Sequence, residues 1–112
     1  MAKKENKAYS RYCSEALKLL SRHIRVTRIE RGITTQELAE RAGISRGLLR
    51  RIENGDPGCS IGAVFEVAAI LGVPLFNADQ KALTAENIRI CNKLSLLPSE
   101  VRKRRLEIND DF

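Results

Sequence analysis

The sequence predicts an all-α fold in which one compact helical domain is followed by a helical or flexible C-terminal extension. Apolar residues recur three or four positions apart, which is the spacing of one helix face. The first four periodic segments each end at a glycine, and three of them begin at a serine or threonine suited to cap a helix. A chain of 112 residues with 43% hydrophobic content fills one core and leaves little for a second domain.

The first helix is predicted over residues 10–31, after a flexible basic arm at residues 1–9. The arm is polar, contains three lysines and has no apolar periodicity. Helical spacing places four apolar residues on the inner face of the helix: Leu17, Leu20, Ile24 and Ile29. Gly32 ends this helix.

Two short helices with a tight turn between them follow. The Thr34 hydroxyl caps the second helix, and Glu37 reaches back to the Thr34 amide, which makes a capping box. Gly43 ends this helix, and Ser45 caps a third helix over residues 46–54. The sequence thus predicts two consecutive short helices joined by a glycine-containing turn.

A fourth, largely buried helix is predicted from the cap Ser60 to Gly72. Its shared apolar face consists of Ile61, Val64, Phe65, Ala68 and Leu71. A short fifth helix is expected over 78–83, and a further helical segment over 85–96. The predicted organisation is therefore an arm at 1–9, a helical domain at 10–83 and an extension at 84–112.

Composition and motifs narrow the function classes. The net charge of +6 and the pI near 9.6 favour a polyanionic partner. No apolar run reaches the roughly 20 residues that cross a bilayer, and no signal peptide is evident, which predicts a cytoplasmic protein. Cys13, Cys59 and Cys91 are far apart and His23 lies on a predicted helix surface, so no metal site, cofactor or enzyme activity is predicted.

The run GITTQELAERAGISRGLLRRIENG, residues 32–55, resembles the helix-turn-helix of the Xre (Cro and phage-repressor) family. The similarity continues through Ile61 to Leu75 and implies a five-helix, lambda-repressor-like domain that binds double-stranded DNA. The run GDPGCSIGAVFEVAAILGVPL, together with the basic tail and its Asp-Asp-Phe ending, resembles HipB-type antitoxins. That similarity implies a HipA-like kinase toxin as a partner.

The expected DNA contacts fall into two sets. Base readers lie on the outer arc of the third helix, because Leu49 and Ile52 point into the core; they are Arg46, Gly47, Arg50 and Arg51. Phosphate contacts lie at the helix starts, where backbone amides are free; they are Thr34, Thr35, Gln36 and Ser45. The family often has glutamine where Thr35 stands. The alternative for the arginines is that they contact phosphates only.

Two further assignments follow from resemblance. Arg28 and Glu53 match family positions that form an ion pair between the first and third helices; the alternative is two solvated charges. Resemblance to HipB-type proteins also implies that Asp110, Asp111 and Phe112 dock on a toxin. The alternative for the tail is a solvated, disordered charge run.

A homodimer on two DNA half-sites is expected, because a single helix-turn-helix makes few base contacts. The predicted dimer surface contains Leu75, Phe76, Leu83 and Ile88, and the alternative is that these residues cover their own core. Three functions stay open: an autoregulating repressor that acts as an antitoxin, a stand-alone phage-like or metabolic repressor, and a scaffold that contacts proteins only.

Overall fold

The computed structural model describes residues 8–101 and residue 103, and five helices lie within this part of the chain. They are α1 (Arg11–Glu30), α2 (Thr35–Ala42), α3 (Arg46–Glu53), α4 (Ile61–Leu71) and α5 (Gln80–Ser95). The predicted all-α class is confirmed. The chain divides into two units, residues 1–77 with the first four helices and residues 78–112 with α5.

Each of these helices begins at a side chain that accepts a hydrogen bond from the backbone three residues ahead. The five cap residues are Ser10, Thr34, Ser45, Ser60 and Asp79. At Thr34 the bond is reciprocal, since its amide donates to Glu37 Oε1 at 2.9 Å while the Glu37 amide donates to Thr34 Oγ1 at 3.1 Å. The predicted capping box and the predicted starts of α2, α3 and α4 are confirmed.

The core of the first unit lies between α1, α2, α3 and α4. Its fully buried large side chains come from all four helices: Ile24, Leu38, Leu49, Val67 and Leu71. Both α1 and α2 pack against α3 and α4. The prediction that Leu49 and Ile52 point inward is confirmed, and this burial leaves the opposite side of α3 open to solvent.

Two residues predicted on inner faces lie outside instead. Ile29 is 56% exposed because five positions along a helix rotate it about 140° from the buried Ile24. Ile61 is 69% exposed because it stands in the first turn of α4, beyond the end of the core. Val67, which the sequence pattern did not select, is fully buried.

The separate helices expected over 78–83 and 85–96 are one continuous helix, α5. No glycine or proline occurs between residues 80 and 95, so nothing in the sequence interrupts the backbone ladder. The Thr84 hydroxyl donates to the Gln80 carbonyl at 3.0 Å, which satisfies it within the helix. No residue of α5 is buried.

Among the described residues, no helix is both long enough and apolar enough to cross a membrane. His23 lies exposed on α1, in agreement with its predicted surface position. Of the three cysteines, Cys13 and Cys59 are half-buried and Cys91 is exposed.

Candidate nucleic-acid interface

The turn between α2 and α3 sets the relative placement of the two helices. Gly43 adopts the left-handed conformation at φ 69°, which a residue without Cβ takes at no steric cost. The Ile44 amide then donates to the Ala39 carbonyl at 3.0 Å, and the Ile44 side chain packs against the core. The chain is thereby turned so that α3 starts at Ser45 and packs against α2.

All four predicted base readers are exposed along α3. Arg46, Gly47 and Arg50 are exposed, while Leu49 between them is fully buried. Arg46 and Arg50 are four residues apart and therefore share one helix face. Their guanidinium groups give this face strong hydrogen-bond donors of the kind that bind base edges or phosphate.

Arg46 also connects α3 to the start of α2. Its Nη1 donates to Gln36 Oε1 at 3.4 Å, and Gln36 Nε2 donates in turn to Glu40 Oε2 at 2.8 Å. A predicted base reader and a predicted phosphate contact, ten residues apart in sequence, are thus neighbours on one surface.

Arg51, the fourth predicted base reader, is tied to the loop after α3. Its Nε lies 3.0 Å from Asp56 Oδ2, and this hydrogen bond with its charge attraction raises the pKa of Arg51. Asp56 Oδ1 also accepts from the Gly58 amide at 2.8 Å, so the same carboxylate organises the Asp-Pro-Gly turn. In the sequence, Asp56 is followed by Pro57 and Gly58, which is typical of a turn, and this local signal does not indicate that Asp56 is also the partner of Arg51.

Gly47 is not required by its surroundings in the protein. A Cβ added there would meet only Ser45 Oγ, at an ordinary van der Waals distance of 3.9 Å. Glycine inside a helix costs about 0.5–1 kcal/mol relative to alanine. The reason for glycine at this position is therefore not found in the described protein.

The predicted phosphate contacts lie at the starts of α2 and α3. The Thr34 and Ser45 hydroxyls already accept the capping bonds from Glu37 and Leu48, respectively. The amides of Thr35 and Gln36 are the first-turn donors that the capping box does not use, and they stand at the positive end of the α2 dipole. These two amides can bind an anion without breaking the cap.

Arg28 and Glu53 form a two-pronged ion pair. Arg28 Nε lies 2.6 Å from Glu53 Oε2, and Arg28 Nη2 lies 3.2 Å from Glu53 Oε1. Arg28 Nη1 also donates to the Ile33 carbonyl at 2.9 Å. The side chains are only 12% and 7% exposed, so this pair links α1, the loop before α2 and the last residue of α3 inside the fold.

The residues predicted for dimer formation and for toxin docking belong to other segments of the sequence. Leu75 packs half-buried against the core, and the exposed Phe76 meets Phe65 edge-on with ring centroids 6.2 Å apart. In the second unit, Leu83 is half-buried and Ile88 is exposed. The predicted toxin-docking residues Asp110, Asp111 and Phe112 lie outside the described residues.

Two short helices joined by a tight turn, with arginines exposed on the second helix and a four-helix core beneath it, are the arrangement of helix-turn-helix DNA-binding regulators. The chain belongs to the helix-turn-helix domain family, whose model matches residues 19–79, more than half of the chain. Comparisons with curated proteins and with solved structures give no match.

Proposed function

We propose that this protein is a sequence-specific DNA-binding repressor that reads the major groove with α3. The observation that carries the proposal is the 3.4 Å contact between Arg46 and Gln36. It places a donor suited to base edges beside the helix start suited to a phosphate. A duplex that lies across both would be fixed in register by its backbone while its bases meet α3.

In this proposal Arg46, Gly47 and Arg50 face the bases. A guanidinium can donate two parallel hydrogen bonds to O6 and N7 of one guanine. Arg46 can make these bonds by giving up its 3.4 Å hydrogen bond to Gln36. Arg51 can reach a base only after its ion pair with Asp56 breaks, so we assign it a smaller part in sequence preference. While the ion pair holds, Arg51 contacts a phosphate instead.

The phosphate contacts are assigned to the start of α2 and to the turn. The amides of Thr35 and Gln36 donate to one phosphate oxygen, helped by the α2 dipole. The Thr34 and Ser45 hydroxyls keep their capping bonds and have a proton left to donate. These groups strengthen binding to any sequence and set the docking angle of α3.

We also propose a homodimer, which brings two copies of α3 to two half-sites about one helical turn apart. The support comes from α5, a helix of 16 residues with no buried side chain. A helix of this length is only marginally stable alone in water. Leu83, Ile90 and Leu94 are spaced seven and four residues apart and form one apolar stripe, whereas Ile88 lies about 140° from Leu83. The proposed dimer pairs this stripe with its copy.

The first test is a fluorescence-anisotropy titration of the full chain on its own upstream DNA and on a scrambled duplex, at low and near-physiological salt. A preference of about a thousandfold for the upstream duplex at physiological salt is the expected result. Equal affinities that fall together as salt rises would reduce the interaction to general charge attraction and refute the proposal.

Single variants then separate the roles of the arginines. Arg46→Ala should lower the preference for the operator by about tenfold or more, because it removes a base contact. Arg51→Ala should weaken both duplexes by a similar factor and leave the preference largely unchanged. Arg25→Ala on the exposed side of α1 is the matched control, since it removes the same charge away from α3. Equal losses of preference in all three variants would contradict the assignment.

We propose further that the repressor is the antitoxin of a toxin–antitoxin operon. The support is the resemblance of residues 55–75 and of the tail to HipB-type antitoxins, with Asp110, Asp111 and Phe112 as the docking segment. A kinase-like reading frame beside this gene is expected, and deletion of residues 107–112 should weaken binding of its product while sparing DNA binding. Unchanged affinity of that product would refute the docking assignment, and an operon without such a frame would favour a stand-alone repressor.

A further inference from the structure

A second apolar stripe runs along the outer side of α1 and is not used by the core or by the proposed DNA surface. Tyr12, Leu19 and Val26 are 85%, 70% and 50% exposed. Each is seven residues from the next, so neighbouring members of the set are only about 20° apart around the helix axis. We name these three side chains the α1 stripe.

The surface beside the α1 stripe is shaped to receive another side chain. Ala16 is exposed between Tyr12 and Leu19, and its small size leaves a recess of about 370 Å³. Glu15, Lys18 and Arg22 also line this recess, and Lys18 lies about 100° around the helix from Leu19, farther from the α1 stripe than the other two. The side of α1 that packs in the core is the other one, where Ser21 and Ile24 are buried. Three large apolar side chains in one line on an exposed face are characteristic of an interaction surface.

Two opposite charges lie along one edge of the α1 stripe. Glu15 and Arg22 are also seven residues apart, and both are exposed on the same side of Leu19. When two identical helices pair antiparallel about a two-fold axis, each edge faces the same edge of the partner, and positions equally far from the axis meet. With the axis near Leu19, Glu15 of one copy meets Arg22 of the other, twice.

We propose that the α1 stripe binds the α1 stripe of a second copy of this chain in an antiparallel arrangement. Leu19 then packs against Leu19 of the second copy, and Tyr12 packs against Val26. Both pairings place the two-fold axis at nearly the same point of α1. The midpoint of Tyr12 and Val26 is residue 19, and the midpoint of Glu15 and Arg22 lies between residues 18 and 19. Hydrophobic contact and charge pairing therefore require the same register.

The charges also select the direction of pairing. In a parallel pair the two copies of Glu15 lie at the same level, and Arg22 lies level with Arg22, so opposite charges are not matched. The antiparallel pair converts the same four side chains into two ion pairs. An apolar stripe edged by a carboxylate also does not suit DNA, whose surface is anionic. A second copy of this chain is the occupant that satisfies both features.

This contact is separate from the one proposed for α5. Two different two-fold contacts on one chain join dimers into larger assemblies. If the protein is a repressor as proposed, the α1 contact would link dimers bound at neighbouring DNA sites and make their binding cooperative. Only this consequence rests on the proposed function.

The test is sedimentation of the full chain from micromolar to several-hundred-micromolar concentration, without DNA. Glu15→Arg and Arg22→Glu should each weaken association by about tenfold, because each turns two attractive pairs into like-charged pairs. The double variant Glu15→Arg/Arg22→Glu restores opposite charges and should recover the mass of the wild type. Arg25→Glu is the control, since it makes the same charge reversal at an exposed position about 120° around α1 from Leu19, farther from the α1 stripe than Arg22.

Three results would overturn the proposal: wild-type mass for both single variants, Glu15→Arg and Arg22→Glu; a double variant that stays dissociated; or an Arg25→Glu loss as large as that of Arg22→Glu. Melting temperatures of the variants verify that they fold. The outcome is independent of DNA binding, because a single-site anisotropy titration should give the same affinity for the wild type and Arg22→Glu even where their masses differ. A failed operator titration would therefore refute the proposed function and leave the α1 contact standing.

Discussion

At the scale of single residues, the Arg28–Glu53 pair has the clearest energetic consequence. Both side chains are largely removed from water and joined by two hydrogen bonds. Removal of one partner leaves the other as an uncompensated buried charge, which costs about 3–5 kcal/mol. We expect Arg28→Ala to lower the melting temperature by more than about 10 °C, as measured by circular dichroism.

The matched control for this prediction is Arg51→Ala. Arg51 also binds a carboxylate through Nε, but its side chain and that of Asp56 are much more open to solvent. Water screens such a pair, so its loss should change the melting temperature little. A melting temperature that is unaffected by Arg28→Ala would show that the buried pair does not hold α1 to the end of α3.

Gly47 gives a prediction in which stability and function change in opposite directions. Because a Cβ fits beside Ser45 Oγ, Gly47→Ala should raise the free energy of unfolding by about 0.5–1 kcal/mol. The same methyl group should lower operator affinity if a base or sugar occupies that space in the complex. Urea unfolding and anisotropy titration measure the two effects.

Gly62→Ala provides the control for Gly47→Ala. Gly62 lies in the first turn of α4, and a Cβ added there meets nothing within 4 Å. This variant should fold at least as stably as the wild type and bind the operator with the same affinity. If Gly47→Ala also leaves operator affinity unchanged, Gly47 does not approach the DNA.

At the scale of elements, the start of α2 makes stability depend on pH. Hydrogen bonds with Thr34 hold the pKa of Glu37 below its ordinary value. Ionised Glu37 therefore stabilises the fold at any pH above the ordinary glutamate pKa. This contribution is lost as the pH falls through the lowered pKa.

The measurement is the urea midpoint of the wild type and of Glu37→Gln, from neutral pH down to about pH 3. The advantage of the wild type over the variant should be full near neutral pH and shrink toward the acid end. An offset between the two proteins that stays constant over this pH range would mean that the charge of Glu37 contributes nothing to the cap.

At the scale of the whole molecule, the second unit differs from the first because none of the residues of α5 is buried. A helix without buried side chains gains little from packing, so its stability should depend on association. We expect the helix content, measured by far-ultraviolet circular dichroism, to rise with protein concentration.

Leu94→Glu should abolish this concentration dependence, since Leu94 is exposed and lies on the apolar stripe of α5. Asn92→Glu adds the same charge on another face of the helix and should retain the dependence. Helix content that stays constant from low to high concentration in the wild type would contradict the proposed α5 dimer.

The local features of this fold could be predicted from the sequence alone. Hydroxyl caps at Thr34, Ser45 and Ser60, and the glycines that follow α2 and α4, are read from neighbouring residues, because capping bonds span only three or four positions. For the same reason, the burial of Leu49 and Ile52, and with it the open side of α3, followed from helical periodicity. The position of the candidate interface was therefore predicted in outline.

Which of these residues contact each other is known only from the packing of the helices. Periodicity indicates which residues share one face of a helix, but not how much of that face the neighbouring helices cover. The sequence pattern therefore predicts Ile29 and Ile61 inside, where the structure has them exposed, and does not predict the burial of Val67. The contacts of Arg46 with Gln36 and of Arg51 with Asp56 depend on how the chain turns after α2 and after α3. Such contacts join residues that local spacing does not relate, because their distances are fixed by packing between helices and by turn geometry.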